Sequence, residues 1–291
     1  MPDDLKQCPL CEDQHSNPFD QRTFRGQRVY NRICRTCGLV YQSPRMSAEE
    51  LETFYERSYR EVYQGDEGPT QKDLFVQNGR ADALLDILDG CVISIDSYLD
   101  IGCSTGILLT RFQDHYQCRV VGVEPGEAYR AYAEAQGLTV YSSLDELEPP
   151  GTRFDLISMA HVLEHLNDPV GYLANLRERH LATSGWLLLE VPNLYAHDSF
   201  EIAHLTAFSG HTLRQVLMKA GYDVVVLRKH GWPRSELLPL YITLLAQPRA
   251  DAERQHIPKP EHNVALKRRL GMLRRRVVQK LFPRQAWVPV K

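Results

Sequence analysis

Four cysteines near the N-terminus stand in two Cys-x-x-Cys pairs, Cys8/Cys11 and Cys34/Cys37. Two such pairs separated by about twenty residues offer four thiolates at the spacing of a tetrahedral zinc site. Gly38, directly after the second pair, permits the tight turn that directs backbone N–H groups toward sulfur. We expect a structural zinc ion rather than disulfides or free thiols, because so short a segment has too little apolar core to fold alone. A contact with nucleic acid or a partner protein is the alternative role.

A second stretch with a chemical signature covers residues 97–112 and reads S-Y-L-D-I-G-C-S-T-G-I-L-L-T-R-F. Its apolar beginning predicts a buried strand, and the residues after Gly106 predict the first turns of a packed helix. A strand, a turn and a helix N-terminus place backbone N–H groups at the carboxyl edge of a sheet, where open α/β sheets bind ligands. Asp100, just before Gly102, would repel a pyrophosphate but suits a cationic amino-acid ligand. An ordinary strand–turn–helix without a ligand is the alternative.

Strand-like and helix-like stretches alternate through the centre of the chain. The strand-like runs cover residues 98–101, 119–124, 138–141, 154–160, 186–191, 224–228 and 240–246. Helical patterns stand between them, including one that begins at Asp168-Pro169 and one that Ser209 caps. The alternation predicts an α/β fold with a mostly parallel sheet.

The glycine stretch resembles the first motif of class I S-adenosylmethionine (SAM) methyltransferases, usually written D/E-x-G-x-G-x-G. The matching residues are Asp100, Gly102 and Gly106, and Ser104 replaces the central glycine. The resemblance covers residues 95–248 and implies a Rossmann-like, seven-stranded sheet whose last strand is antiparallel. It also implies that these four residues surround the methionine part of SAM.

The remaining parts of SAM have candidate ligands as well. Glu124 ends the predicted second strand at an interval from Asp100 that brings a strand-end carboxylate to a ribose diol, although a solvated loop acid is the alternative. The resemblance implies that the loop after the third strand borders the adenine, which makes Ser143 and Leu144 candidates. Helices predicted before the core, one opened by a capping box at residues 47–50 and one over residues 72–88, form a cap. Cap residues that could reach SAM are Tyr59, Tyr63 and Arg80.

Residues 161–165 read H-V-L-E-H and follow the predicted fourth strand directly. They resemble the branch that contains ubiquinone-biosynthesis O-methyltransferases and small-RNA 2′-O-methyltransferases, in which E-x-x-E-H and a later histidine bind a divalent metal. The resemblance implies that His161 replaces the first glutamate, that Glu164 and His165 match, and that His204 is the later histidine. A second metal, softer than magnesium, would lower the pKa of an acceptor hydroxyl there.

Two other roles are open for this His/Glu cluster. His165 or His204 can act as a plain general base whose pKa lies near the operating pH. Alternatively, Glu164 and His165 only pair and hold the loop. Methyl transfer requires little covalent chemistry from a protein, because the sulfonium is already activated and the reactants need mainly alignment.

Charge is unevenly distributed over the 291 residues. Residues 262–291 carry nine Lys/Arg and no Asp/Glu, whereas residues 1–261 have a net charge of −12. An acidic body disfavours general nucleic-acid binding. The chain has no apolar run of about eighteen residues and no signal-peptide pattern, so we expect a cytoplasmic protein.

The basic C-terminal segment has the pattern of an amphipathic helix. Its apolar positions are Leu266, Leu270, Leu273, Val277 and Leu281. Such a helix can dock on the acidic body or on a protein partner, or it can lie on an anionic membrane surface or bind phosphate. A peripheral position at the inner membrane face is therefore one of the expectations.

We interpret the chain as a zinc ribbon or knuckle (1–44), a helical cap (45–94), a SAM-binding core (95–248) and a basic tail (249–291). The resemblance implies a SAM-dependent methyltransferase that acts on a small molecule, nucleotide sugar or glycan in polysaccharide or secondary-metabolite biosynthesis, at oxygen rather than carbon. The alternatives are an RNA methyltransferase, which the acidic body disfavours, and a SAM-binding scaffold without catalysis.

Overall fold

The computed structural model describes residues 4–47, 49–51, 68–92, 94–250 and 256–288. Within these ranges the strands are β1 (Ser16–Phe24), β2 (Gln27–Cys34), β3 (Val40–Gln42), β4 (Ser97–Ile101), β5 (Arg119–Val123), β6 (Val140–Tyr141), β7 (Phe154–Ala160), β8 (Leu181–Pro192), β9 (Thr206–Ala207), β10 (Tyr222–His230) and β11 (Tyr241–Pro248). The helices are α1 (Gln71–Leu88), α2 (Ile107–Tyr116), α3 (Glu127–Ala135), α4 (Pro169–Arg179), α5 (Gly210–Lys219), α6 (Val264–Leu281) and α7 (Pro283–Ala286). Two 3₁₀ turns are Leu144–Glu146 and Leu163–His165.

Seven strands form the larger sheet, in the order β10-β11-β8-β7-β4-β5-β6. Strands β4 to β8 pair in parallel, and β11 runs antiparallel to both of its neighbours. This arrangement confirms the predicted α/β fold and its antiparallel last strand. The strand predicted over residues 186–191 begins earlier, at Leu181, because that residue already pairs with Phe154 of β7.

Neighbouring residues of each central strand face opposite layers of the core. Tyr98 of β4 packs into the layer that contains α1 and α2, and its ring stacks on Phe112 with centroids 4.6 Å apart. Leu99, the next residue, packs into the layer that contains α4 and α5. Both layers are apolar because a parallel sheet is covered on its two faces, which explains the continuous apolar runs.

A second sheet joins the N-terminal segment to the core. Its order is β1-β2-β3-β9, and β9 belongs to the loop after β8. Val40 and Tyr41 of β3 pair with β9, and the Gln42 N–H donates to the Leu205 carbonyl at 2.8 Å. The cysteine segment is therefore bound to the same loop that carries His204. The segment boundaries at 44, 94 and 248 remain predictions.

Capping boxes stand at the start of both predicted cap helices. Ser47 and Glu50 exchange hydrogen bonds of 3.0 and 3.1 Å, as a capping box requires, and Thr70 and Asp73 do the same at the start of α1. Helix α1 packs with α2 in the same core layer against one face of the sheet. Tyr59 and Tyr63 lie outside the described residues.

Helix α6 packs through its polar face. Val264 and Arg268 are buried, and Gly271 lies so close to Tyr195 that an added Cβ would stand 1.8 Å from its carbonyl oxygen. This close approach explains a glycine that otherwise weakens a helix by about 1 kcal/mol relative to alanine. The predicted apolar stripe is consequently turned toward solvent. No helix among the described residues is long and apolar enough to cross a bilayer.

Candidate active site

A cavity of about 800 Å³ opens at the carboxyl ends of β4, β5 and β7. Predicted residues that line it are Arg80, Asp100, Gly102, Ser104, Glu124, Ser143, Leu144, His161 and His165. Gly106, Glu164 and His204 are not among its lining residues. The cavity therefore joins the predicted cofactor region to part of the predicted acceptor region.

The glycine turn bends through three residues with left-handed backbone. Gly102, Ser104 and Gly106 have φ values of 75°, 52° and 77°. Gly106 serves packing, since an added Cβ would stand 2.3 Å from the Leu138 side chain. Ser104 is held from α1, because the Gln77 Nε2 donates to its hydroxyl at 3.0 Å.

Glu124 closes the turn from the neighbouring strand. Its carboxylate accepts hydrogen bonds from the Ser104 and Gly126 backbone N–H groups, each at 2.9 Å. A carboxylate accepts more than two hydrogen bonds, so these contacts orient Glu124 without preventing it from binding ribose hydroxyls.

Asp100 is buried beneath the turn. Burial raises its pKa to about 7, and the hydrogen bond that the Ser158 hydroxyl donates only partly offsets this effect. The Tyr98 hydroxyl lies 2.6 Å from the Ser158 hydroxyl and extends the chain of polar groups. A cation beside Asp100 would stabilise the ionised carboxylate.

Glu164 is a buried carboxylate with an unusual lack of partners. Its side chain is 1% exposed, and neither oxygen has a well-directed hydrogen-bond partner among the described residues. His161 Nδ1 lies 3.3 Å and His165 Nε2 lies 3.9 Å from its Oε1. Burial acts to raise the pKa of Glu164, but His161 and the neighbouring imidazoles outweigh it and lower the pKa to about 2.

Two histidines complete the surroundings of Glu164. His165 Nδ1 lies 2.8 Å from the Ala203 carbonyl, and His204 Nδ1 lies 2.7 Å from the Ser199 carbonyl. Because a carbonyl only accepts, each Nδ1 carries the proton and each Nε2 carries the lone pair. Burial lowers the pKa of His165 to about 4, which keeps it neutral.

The arrangement fits a divalent metal. Ligand atoms of Glu164, His165 and His204 lie within 4.8 Å of one another. Metal-binding histidines usually donate their other ring N–H to a carbonyl or carboxylate, as both do here, and an unpartnered buried carboxylate is a natural third ligand. His161 is not grouped with these three. His161 lies between two carboxylates, with its Nδ1 3.3 Å from Glu164 Oε1 and its Nε2 3.2 Å from Glu190 Oε1.

The four N-terminal cysteines also converge. Their sulfur atoms lie within 4.8 Å of one another, with 3.6 Å between Cys8 and Cys37 and 3.4 Å between Cys11 and Cys34. Four sulfurs bound tetrahedrally to one zinc ion are about 3.8 Å apart, so the cluster fits zinc and is too open for disulfides.

The central part of the chain matches a known protein family. A family model described as a methyltransferase domain matches residues 70–227. The chain belongs to this family. Its sheet, with β11 antiparallel between β8 and β10, is that of the class I SAM-dependent methyltransferases, as the glycine motif implied.

The curated relatives match a shorter part of the sequence than the family model does, whereas one solved structure matches most of the fold. Ubiquinone biosynthesis O-methyltransferases of Cereibacter sphaeroides (strain ATCC 17025 / ATH 2.4.3) and Roseobacter denitrificans are 36% and 33% identical over 87 residues, 28% of this chain and 35% of each relative. The chain thus matches about a third of the length of these curated relatives. The solved 1,6-didemethyltoxoflavin-N1-methyltransferase of Burkholderia thailandensis has a TM-score of 0.58 at 17% identity, over 79% of this chain and 99% of that one, and is similar in fold.

A buried polar network beside the methyltransferase cavity was not anticipated from the sequence. Glu190, near the end of β8, accepts from Arg80 Nε at 2.7 Å, and His230 Nε2 lies 3.3 Å from its other oxygen. Burial and Arg80 act to lower the pKa of His161, but Glu164 and Glu190 outweigh them and raise it. The sequence feature that could have predicted this network is Glu190, an acid inside the otherwise apolar run 186–191.

Proposed function

We propose that this methyltransferase domain transfers the methyl group of SAM to a hydroxyl of a small-molecule acceptor. The observation that carries the proposal is the single cavity shared by the glycine turn and His165. Methyl transfer needs the nucleophile, methyl carbon and sulfur in line and shielded from water, and one enclosed space can meet both conditions. The Burkholderia enzyme, which is similar in fold, was solved with bound 1,6-didemethyltoxoflavin and S-adenosylhomocysteine.

For SAM we assign the turn and the strand end. Asp100 and the backbone of residues 102–106 would bind the methionine part, Glu124 the ribose, and Ser143 with Leu144 the adenine. All of these residues except Thr105 and Gly106 line the cavity, which supports these roles. The ribose assignment also draws on the carboxylate of Glu124, which backbone N–H groups hold in place.

For the acceptor we propose that Glu164, His165 and His204 would hold a divalent metal, which when bound would lower the pKa of the acceptor hydroxyl. The two Nδ1–H groups bonded to carbonyls and the unpartnered carboxylate support this assignment. His161 would orient Glu164. The second candidate is His165 as a general base, which its position on the cavity wall supports. Its pKa of about 4 lies below the value near the operating pH that is expected of a base, and so favours the metal over this role.

Methyl-labelled SAM supplied with a fractionated extract tests the reaction. We expect label in low-molecular-mass compounds, and a loss of turnover on the order of a hundredfold in both His165→Ala and His204→Ala. His115→Ala, at an exposed histidine of α2, is the matched control and should retain full turnover. Bound metal in the wild type that His204→Ala lacks would support the metal over the plain base.

Other outcomes would contradict this function. Label in ribosomal RNA would support the RNA methyltransferase, and label in polysaccharide would identify a glycan acceptor, whereas label in nucleotide sugars would agree with the proposed small-molecule acceptor. SAM binding without turnover on any fraction would support a scaffold. Full turnover in both histidine variants would refute the acceptor-site assignment while leaving the SAM site intact.

We also propose that Cys8, Cys11, Cys34 and Cys37 hold one structural zinc ion. The sulfur geometry and the small size of the segment support it. Zinc would fix the two knuckles, whose turns use positive φ at Glu12 and Gly38.

A further inference from the structure

The outward side of α6 is an uncovered apolar surface. The side chains that form it are Leu266, Leu270, Leu273, Val277 and Leu281, which are 47–63% exposed. Residues of an α-helix are about 100° apart, so these five fall on one narrow stripe. Phe282, directly after the helix, and Trp287, directly after α7, are also exposed, and the Arg234 guanidinium lies 5.4 Å from the centre of the Trp287 ring. Exposed apolar patches of this kind mark interaction sites.

The orientation of the helix is fixed from its opposite side. The Arg268 guanidinium is buried and donates to the carbonyls of Leu194 and His197. Arg275, two turns later on the same side, donates to the Ala196 carbonyl at 3.0 Å. Between them Gly271 lies against the Tyr195 backbone. Rotating the helix to turn the stripe inward would break the hydrogen bonds of Arg268 and Arg275. It would also press larger side chains against the Tyr195 backbone, where Gly271 now lies. The apolar side therefore stays outward.

Basic residues border the stripe on both sides. In projection down the helix, Arg269, Arg276 and Lys280 stand on one flank, and Lys267 and Arg274 stand on the other. The helix contains no acidic residue. A second copy placed against this face would bring cations against cations, which disfavours self-association.

We propose that this outward face of α6, together with Phe282 and Trp287, binds the surface of an anionic lipid bilayer. Helices with an apolar stripe, cationic flanks and terminal aromatic residues lie in the interface, with the apolar side chains among the acyl chains and the cations at the headgroups. The buried Arg268 side keeps the helix attached to the domain while the stripe is inserted. The complementary charge selects anionic lipids over neutral ones.

Co-sedimentation of the full chain with lipid vesicles tests the proposal. We expect binding to vesicles of phosphatidylcholine with about one third phosphatidylglycerol, and at least about tenfold weaker binding to phosphatidylcholine alone. Leu270→Gln with Leu273→Gln should weaken the binding by about tenfold or more. Arg269→Gln with Arg276→Gln should weaken it by about fivefold for each charge removed. All four side chains are exposed, so the fold is retained.

Matched controls use exposed residues on another surface. Val225→Gln, on β10, and Arg228→Gln with Lys229→Gln should leave vesicle binding unchanged. Vesicle binding that is equal for the wild type and for both α6 variants would overturn the proposal. So would a stripe-dependent dimer in light scattering with no vesicle binding, or binding to RNA in place of vesicles.

Discussion

Ser104 adopts a backbone conformation that is costly for a residue with a side chain. Its φ of 52° lies in the left-handed region, at a cost of order 1 kcal/mol. Gln77 compensates for this cost, because its amide donates to the Ser104 hydroxyl and accepts from the Thr105 hydroxyl. A residue of α1 thereby fixes the turn that we assign to SAM.

We predict that Gln77→Ala weakens SAM binding about three- to tenfold, since two hydrogen bonds that hold the turn are lost. In a Ser104→Gly background the same change should have a smaller effect, because glycine adopts the turn without support. Titration calorimetry on the four proteins of the cycle measures both effects. Asn78→Ala is the control, since that side chain bonds only within α1. Equal effects in both backgrounds would contradict the compensation.

We predict that Asp100 gives SAM binding a pH dependence. Burial raises its pKa to about 7, above the unfolded value near 3.9, so the ligand-free protein holds it protonated below neutral pH. This burial costs the ligand-free protein stability as the pH rises through that window. A cationic ligand favours the carboxylate, so SAM affinity should rise with pH up to about 7 and then level off.

Calorimetry at pH values on either side of about 7, in buffers of different ionisation enthalpy, measures this dependence. We expect proton release on binding at the lower pH, and a flat profile for Asp100→Asn. A wild-type affinity that is constant over this range would show that Asp100 does not contact the cation.

At the level of elements, β9 connects the cysteine cluster with the loop that carries His204. It is the fourth strand of the cysteine sheet, and the loop that contains it carries His204. The Gln42 side chain adds a hydrogen bond of 3.2 Å to the Glu201 carbonyl of that loop. The cysteine segment therefore supports the side of the cavity that we assign to the acceptor, whereas α1 supports the side that we assign to SAM.

We predict that Cys11→Ser, at the least buried of the four cysteines, removes zinc and lowers methyl transfer on the order of tenfold, because the loop of His204 loses its support. SAM affinity should change no more than about twofold, as expected for a distant site. Metal analysis, turnover and calorimetry measure the three quantities. Cys91→Ser, at a half-buried cysteine of the core, is the control. Equal losses of SAM affinity and turnover would contradict a local role.

Local spacing allowed the elements and two of the clusters to be predicted. The cysteine pairs and the glycine turn depend on residues close in sequence, and strand ends place Glu124 by a general rule of α/β sheets. Pairings across long distances were missed. Arg80 and Glu190 are 110 residues apart, and the β3–β9 pairing, for example Tyr41 with Thr206, spans even more of the chain. No periodicity encodes such contacts, so neither the partner of His161 nor the strand beside His204 could be read from the sequence.

Over the whole molecule, the acidic body and the basic C-terminal segment are distinct, as the sequence indicated. The segment attaches to the body through its arginines, and its apolar stripe remains exposed. Acidic residues of the body hold α6, with Asp198 on Arg268 at 3.1 Å and Glu261 on Lys267 at 3.0 Å. The sign of the net charge of residues 1–261 is opposite to that of α6. An anionic surface would therefore repel most of the molecule and attract one side, which orients the protein as it approaches.

The loop after β8 has a consequence for divergence among such enzymes. Strand β3 pairs with it at residues 206–207, and the arginines of α6 donate to carbonyls of residues 194–197. The N-terminal cysteine segment and the C-terminal helix α6 thus both contact the loop after β8. The glycine turn and Glu124 make none of these contacts. We therefore expect that replacing the N-terminal or C-terminal segment would change the choice of acceptor and leave the proposed SAM-binding residues unchanged.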